Sequence, residues 1–203
     1  HWLSSKPVYN SHLHNTIQHL SVDDQLDIVV DDFIGRGLRP AITSVHDDDD
    51  FYNFLAEDDR LCVVKFYASW CKTCKKFDLR FRKFALKEAD KLDKNGKLVE
   101  AGRVRFAEVE LKENLKLCHS LGIKRLPYIH YYKKGAGKID DYKCTPMEFH
   151  KVIDDVNKYA DMSEEDIKLE KIMIEGSVLG DSLLQNLEVA HNSDRSNKQQ
   201  NVT

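Results

Sequence analysis

Two cysteines with two residues between them, Cys71-Lys72-Thr73-Cys74, are the first chemistry this chain offers. Such a pair can exchange thiols with disulfides or supply half of a metal site. A zinc site normally needs a second ligand pair at comparable spacing. Cys118 and Cys144 stand alone, so no metal is expected. The context favours redox chemistry. An apolar run, Leu61 to Ala68, leads into Trp70 and Cys71, and helix-forming sequence follows. Cys71 then opens a helix, where free N–H groups and the dipole stabilise a thiolate. Lys72, Lys75 and Lys76 add positive charge. Together these should draw the Cys71 thiol well below its ordinary value of about 8.5. Cys74, one turn inside, is placed to attack a mixed disulfide at Cys71 and release a reduced partner. The plain alternative is a CxxC kept in a structural subunit.

The elements that must position this pair alternate in type. Ala41 to Val45 reads as a short strand, and Asp47 to Asp50 open a helix that turns Phe51, Phe54 and Leu55 inward. Leu61 to Ala68 is a buried strand. The helix opened by Cys71 runs through Phe77, Phe81, Phe84 and Leu86 toward Lys91. Asn95-Gly96 marks a turn, and Val104 to Leu111 is a third strand. Leu115 to Leu121 is a short helix ended by Gly122. Tyr128 to Tyr132 and Lys138 to Lys143 are strands joined at Lys134-Gly135. Thr145-Pro146 starts a last helix, with Pro at its first position, carrying Phe149, Val152, Ile153 and Val156. The order β-α-β-α-β-α-β-β-α is that of an α/β domain.

Around this domain, expected over 41–161, lie two extensions. Residues 1–40 carry a helix capped at Ser21 and ended by Gly35 and Gly37. Residues 162–203 carry one or two amphipathic helices from the cap Ser163-Glu164-Glu165-Asp166, interrupted by Gly176 and Gly180, then a polar tail. Their apolar faces are large enough to dock on the domain or on a larger complex. The chain of 203 residues has a net charge of -3, which argues against a nucleic-acid partner. No apolar run approaches the length that crosses a bilayer. Five cysteines at irregular spacing do not read as a secreted disulfide framework.

The central region resembles thioredoxin through Phe66-Tyr67-Ala68-Ser69-Trp70-Cys71, Cys74-Lys75, Leu126-Pro127 and Gly135. It resembles more narrowly the atypical Cys/His-rich thioredoxins of chloroplasts. That likeness rests on Leu117 to Ile123, Leu126-Pro127-Tyr128, Gly135-Ala136-Gly137 and Cys144-Thr145. The resemblance implies a thioredoxin fold: a central mixed sheet flanked by helices, here with helical N- and C-terminal extensions. It implies electron transport to disulfide-containing target proteins without a bound cofactor, supplied by an upstream thiol donor. It implies a chloroplast location, in the stroma or on the stromal face of the thylakoid. Cys71 becomes the attacking cysteine, Cys74 the resolving one, and Pro127 the cis-proline beside them that pairs with the substrate backbone. Trp70, Lys72, Thr73 and Leu126 become the substrate-facing residues. The alternative is a thioredoxin-fold accessory subunit bound in a larger plastid assembly.

Two departures from that family stand out. Lys72-Thr73 replaces the usual Gly-Pro between the cysteines, and a Lys there should favour the thiolate and make the site more oxidising. Lys65 stands where the family has a buried Asp. Counting back from Pro127 puts Glu108 where the family has the partner Lys. A lone buried Lys is costly, so a Lys65–Glu108 pair is expected, with Glu108 able to accept the Cys74 proton. The plain alternative has both side chains reaching solvent. Cys62 reads as a packed small hydrophobe. Cys118 and Cys144 read as buried thiols, with a second disulfide or a regulatory thiol as the alternative. His46 beside four Asp reads as a helix start rather than a metal site, and His119 is given no catalytic role. Lys72, Lys75, Lys76, Arg80, Arg82, Lys83 and Lys87 make the site helix basic, a face suited to an acidic partner surface.

Overall fold

The computed structural model describes residue 33 and residues 35–177. Its elements are β1 (Arg39–Pro40), β2 (Ile42–Val45), α1 (Asp48–Ala56), β3 (Leu61–Tyr67) and α2 (Lys72–Glu88), then β4 (Lys91–Leu92), β5 (Leu98–Glu100), β6 (Val104–Glu110) and α3 (Leu115–Ser120). β7 (Tyr128–Lys133), β8 (Gly137–Lys143) and α4 (Phe149–Tyr159) follow. The main sheet has the order β2-β6-β3-β7-β8. β2, β6 and β3 are parallel, and β7 and β8 are antiparallel to their neighbours. β6 is buried along its whole length and β3 along all but Tyr67, because helices cover both faces of the sheet. That double cover is why both strands read as near-continuous apolar runs.

The spacing of the aromatics explains the helical layers. Phe81 and Phe84 of α2 meet Phe106 edge-on, with ring centroids 5.4 and 6.0 Å apart. Phe149 of α4 closes against Phe77 and Phe84 at 5.2 and 5.9 Å. The opposite face gathers Cys62, Val64, Phe66, Ala107 and Val109 with Phe51 and Phe54 of α1 and Leu117 and Cys118 of α3. α1 begins where Asp47 accepts a hydrogen bond from the Asp50 N–H (2.8 Å), so the acidic run caps a helix.

Three boundaries differ from the sequence reading. α2 stops at Glu88, and Ala89 turns extended. Lys91–Leu92 instead joins β1 and β5 in a small antiparallel sheet, β1-β4-β5, closed by the turn at Gly96 (φ 82°). The last helix opens with a 3₁₀ turn, Pro146–Glu148, locked by reciprocal hydrogen bonds between Thr145 and Glu148. Gly176 does not interrupt the helix that begins at 164, which is helical through residue 177, the last described. That helix starts where Ser163 Oγ accepts from the Asp166 N–H (3.1 Å) and Asp166 Oδ2 accepts from the Ser163 N–H (3.2 Å). Residues through Asp161 and those beginning at Met162 form two compact units. The helix expected after Ser21 and the segment after 177 lie outside the described residues.

Gly102 holds the small sheet's return to β6. Its N–H donates to Asp90 Oδ1 (2.7 Å) and its carbonyl accepts from Arg60 (3.0 Å). An added Cβ meets the carbonyl carbon of Ala89 at 2.1 Å and the carbonyl oxygen of Glu88 at 2.4 Å. Backbone cannot yield as a side-chain tip does, so Gly102→Ala is expected to cost about 2–3 kcal/mol. A lowered urea midpoint is the check, and an unchanged midpoint would contradict the close approach.

Candidate active site

Cys71 is the N-cap of α2. Its Sγ accepts from the Cys74 N–H at 3.1 Å, and its N–H donates to Ala68 O at 3.0 Å. Cys71 and Cys74 form a disulfide with Cα atoms 5.2 Å apart. Cys71 is 9% exposed and Cys74 3%, so the first cysteine is nearer the surface. Trp70 (70% exposed), Lys72 and Thr73 project to solvent around them. The Leu126–Pro127 bond is cis, Leu126 packs on the group formed by Ala68, Cys71 and Cys74, and Pro127 O accepts from the Cys144 N–H (3.2 Å).

Lys65 is buried and lies directly opposite Glu108 across the parallel β3–β6 ladder, both facing α2. Its Nζ donates to Glu108 Oε2 at 2.9 Å and also to Asp78 Oδ1. Arg82 completes the group, donating to Asp78 Oδ2 at 2.8 Å and to both Glu108 oxygens at 2.9 and 3.1 Å. The ammonium also faces the rings of Tyr67 and Phe81, 4.9 and 4.7 Å from their centroids. Two cations thus hold two anions, and the group is neutral as a whole. Burial pushes the Asp78 carboxyl up, but hydrogen bonds from Lys65 and Arg82 outweigh it and hold the carboxyl below its ordinary value. A cleft of about 310 Å³, lined by Tyr67, Ala68, Ser69, Cys74 and Lys75, opens onto all four members of this network.

Sequence reasoning did not assign Asp78 or Glu110. Asp78 lies four residues beyond Cys74 and four before Arg82, a spacing that stacks all three on one side of α2. Its signal was present, but the helix was read by its lysines. Glu110, at the end of β6, accepts from the backbone N–H groups of Ser69 (3.1 Å), Glu113 (3.0 Å) and Lys112. It ties the turn before Cys71 to the loop after β6. Burial raises its carboxyl, but those three donors outweigh burial and hold it below the ordinary value.

Cys62, Cys118 and Cys144 are free and buried. Burial pushes the Cys62 and Cys118 thiols up to about 11 and the Cys144 thiol up to about 12. Among the described residues no group of three or more His, Cys, Asp or Glu is placed to hold a metal ion, and no helix is long and apolar enough to cross a membrane.

A mixed sheet between helical layers, with a CxxC disulfide at the start of the helix that follows the central strand, defines a thioredoxin-fold protein. The thioredoxin family model matches residues 42–158, and the chain belongs to that family. It is 29% identical to Thioredoxin-like 2, chloroplastic, of Oryza sativa subsp. japonica over 120 residues, covering 59% of this chain and 50% of that protein. It is 26% identical to Thioredoxin-like 2-2, chloroplastic, of Arabidopsis thaliana over 115 residues, covering 56% and 43%. Among solved structures, thioredoxin f2 of Chlamydomonas reinhardtii aligns with a TM-score of 0.47 and 26% identity, covering 61% of this chain and all of that one. The chain spans about half the length, or less, of these two curated relatives.

Proposed function

We propose that the protein exchanges thiols with disulfides in target proteins through Cys71 and Cys74. The observation that carries this reading is the Cys71–Cys74 disulfide at the helix start, with the attacking position nearer the surface. In the reduced protein, the Cys71 thiolate attacks one sulfur of a target disulfide. A Cys71–target S–S bond forms, and the target's own S–S bond breaks and leaves a thiolate that takes up a proton. Cys74 gives up its proton and attacks the Cys71 sulfur, which forms the Cys71–Cys74 disulfide and releases the target's second thiolate. The target gains two electrons and the protein loses two, which an upstream dithiol donor restores.

The negative charge on Cys71 faces the Cys74 N–H and the positive end of α2. The Cys74 proton leaves toward the cleft that joins Cys74 to Glu108 and Asp78. Trp70, Lys72, Thr73 and Leu126 form the surface a target meets, with Pro127 buried next to Leu126. The names of the rice and Arabidopsis relatives support a chloroplast location, and we place the protein in the stroma or on the stromal face of the thylakoid.

The test is reduction of insulin disulfides with dithiothreitol as donor. The protein should accelerate the reaction, Cys71→Ser should remove the acceleration, and Cys74→Ser should accumulate a mixed disulfide through Cys71. A rate no higher than dithiothreitol alone would sink the proposal.

A further inference from the structure

The redox pair sits inside a rim of unpaired positive charge. Three segments pack around it: the turn and first helical turn at 68–76, the loop after β6 at Leu111, and the loop that reaches Leu126. Their exposed charged side chains are Lys72, Lys75 and Lys76 from the first, Lys112 and Glu113 from the second, and Lys124 and Arg125 from the third. None of these cations forms an ion pair within 4.0 Å among the described residues. The rim is therefore cationic apart from Glu113.

Folding does not explain this arrangement. The first turn of a helix favours acidic side chains. α1 follows that rule with Asp48, Asp49 and Asp50, whereas α2 has no acidic residue in its first turn. Neighbouring lysines at 72, 75 and 76 repel one another as well as the helix dipole. Three arginines elsewhere in the domain are matched by carboxylates: Arg60 by Asp58 and Asp90, Arg103 by Glu88, and Arg105 by Glu57 and Asp58. Carboxylates could have balanced the rim in the same way. Three acids beneath the site are engaged within the fold, Asp78 and Glu108 by Lys65 and Arg82, and Glu110 by three backbone N–H groups.

We infer that the site selects protein disulfides flanked by acidic residues, with Lys124 and Arg125 as specificity-determining residues beside Leu126. This rests on the redox reading above and adds the class of substrate. Arg125 and Lys124 immediately precede the residue packed against the cysteines, so they flank one side of the bound disulfide. Lys72, Lys75 and Lys76 flank the other. Opposite charge on the target raises the encounter rate and fixes its orientation, while a basic flank is repelled. The effect should fade when salt shortens the screening length from about 30 Å at about 0.01 M to about 3 Å at about 1 M.

The experiment uses the reduced full chain and three probes: a disulfide-looped peptide flanked by Glu, the same peptide flanked by Lys, and neutral hydroxyethyl disulfide. Rates are divided by those of dithiothreitol with the same probe, which removes differences in the disulfides themselves. The Glu peptide should react about 10-fold faster than the Lys peptide at about 0.01 M salt and within about 2-fold of it at about 1 M. In the Lys124→Glu/Arg125→Glu variant the Glu-to-Lys ratio at low salt should fall about 5-fold or more. The ratio cancels any change in the intrinsic reactivity of the cysteines. Equal, salt-insensitive rates for the two peptides, with hydroxyethyl disulfide reduced, would overturn the selectivity and leave the redox reading standing. No reduction of any probe would overturn both.

Discussion

Replacing Lys65 with methionine is expected to cost the fold about 3–5 kcal/mol, the range for removing one partner of a buried charged group. Methionine fills similar volume and is at home among Phe81 and Tyr67, so the loss is one of charge rather than packing. Without the ammonium, Asp78 and Glu108 face each other across a site served only by Arg82, whose side chain is half exposed. The double variant Lys65→Met/Glu108→Gln removes one charge of each sign and leaves the Asp78–Arg82 pair. It should therefore be more stable than Lys65→Met alone, which a double-mutant cycle in urea measures directly. The same variants report on chemistry. If the cleft carries the Cys74 proton, Glu108→Gln should slow release of the target from the mixed disulfide and spare its formation. A loss below about 1 kcal/mol in Lys65→Met would show that Lys65 is not held as a charged, desolvated group.

The sequence showed the frame of this site more clearly than its floor. Cys71 could be placed at a helix start because an apolar strand runs up to it and Phe77, Phe81 and Phe84 continue with helical spacing. Glu108 could be placed because the family resemblance gives the Lys65 position a partner on the neighbouring strand and counting back from Pro127 reaches Glu108, which the β3–β6 ladder sets opposite Lys65. Asp78 could not be singled out by such counting, since it belongs to α2 and reaches the strands from above. Arg82 was grouped with the basic face of α2, yet half of its side chain is covered where it turns back to Glu108. β1, β4 and β5 were invisible for a different reason. Two or three residues are too few for an alternating pattern, and their pairing is set by the turn at Gly96 and the close approach at Gly102. His130 was likewise passed over, although Tyr128 and Tyr132, two residues to either side on one strand, place it on the same face.

That histidine should give the protein an acid-sensitive step above the carboxylate range. His130 is fully buried on β7, against the rings of Phe66, Tyr128 and Tyr132 at centroid distances of 4.7, 5.5 and 5.7 Å. Its Nδ1 shares a hydrogen bond with the Tyr132 hydroxyl (2.7 Å), and Nε2 has no partner among the described residues. A charged imidazolium there would leave one N–H desolvated and unpaired. Burial accordingly lowers His130 to about 4 from an ordinary 6.5, with Asp141 opposing the shift and Lys138 adding to it. The folded state therefore refuses a proton that the unfolded chain accepts. Stability from this group is complete above pH ~6.5, falls as the pH drops, and levels off near pH ~4. The full loss is about 3 kcal/mol, of which about 2 kcal/mol is gone by pH ~5. Carboxylates such as Glu110 and Asp78, whose folded values are lowered, lose their contribution only at pH values below their ordinary range near 4. Asp155, whose carboxyl burial holds above its ordinary value, also responds in this range, so urea unfolding at pH ~7.5 and ~5 isolates the histidine when the parent is compared with His130→Leu. His130→Leu should be less stable at neutral pH by about 1 kcal/mol, because the Tyr132 hydroxyl loses its partner. It should also lose about 2 kcal/mol less than the parent between the two pH values. Parallel losses in the two proteins would mean that the imidazole takes up its proton without leaving the fold, and the acid step would have to come from another group.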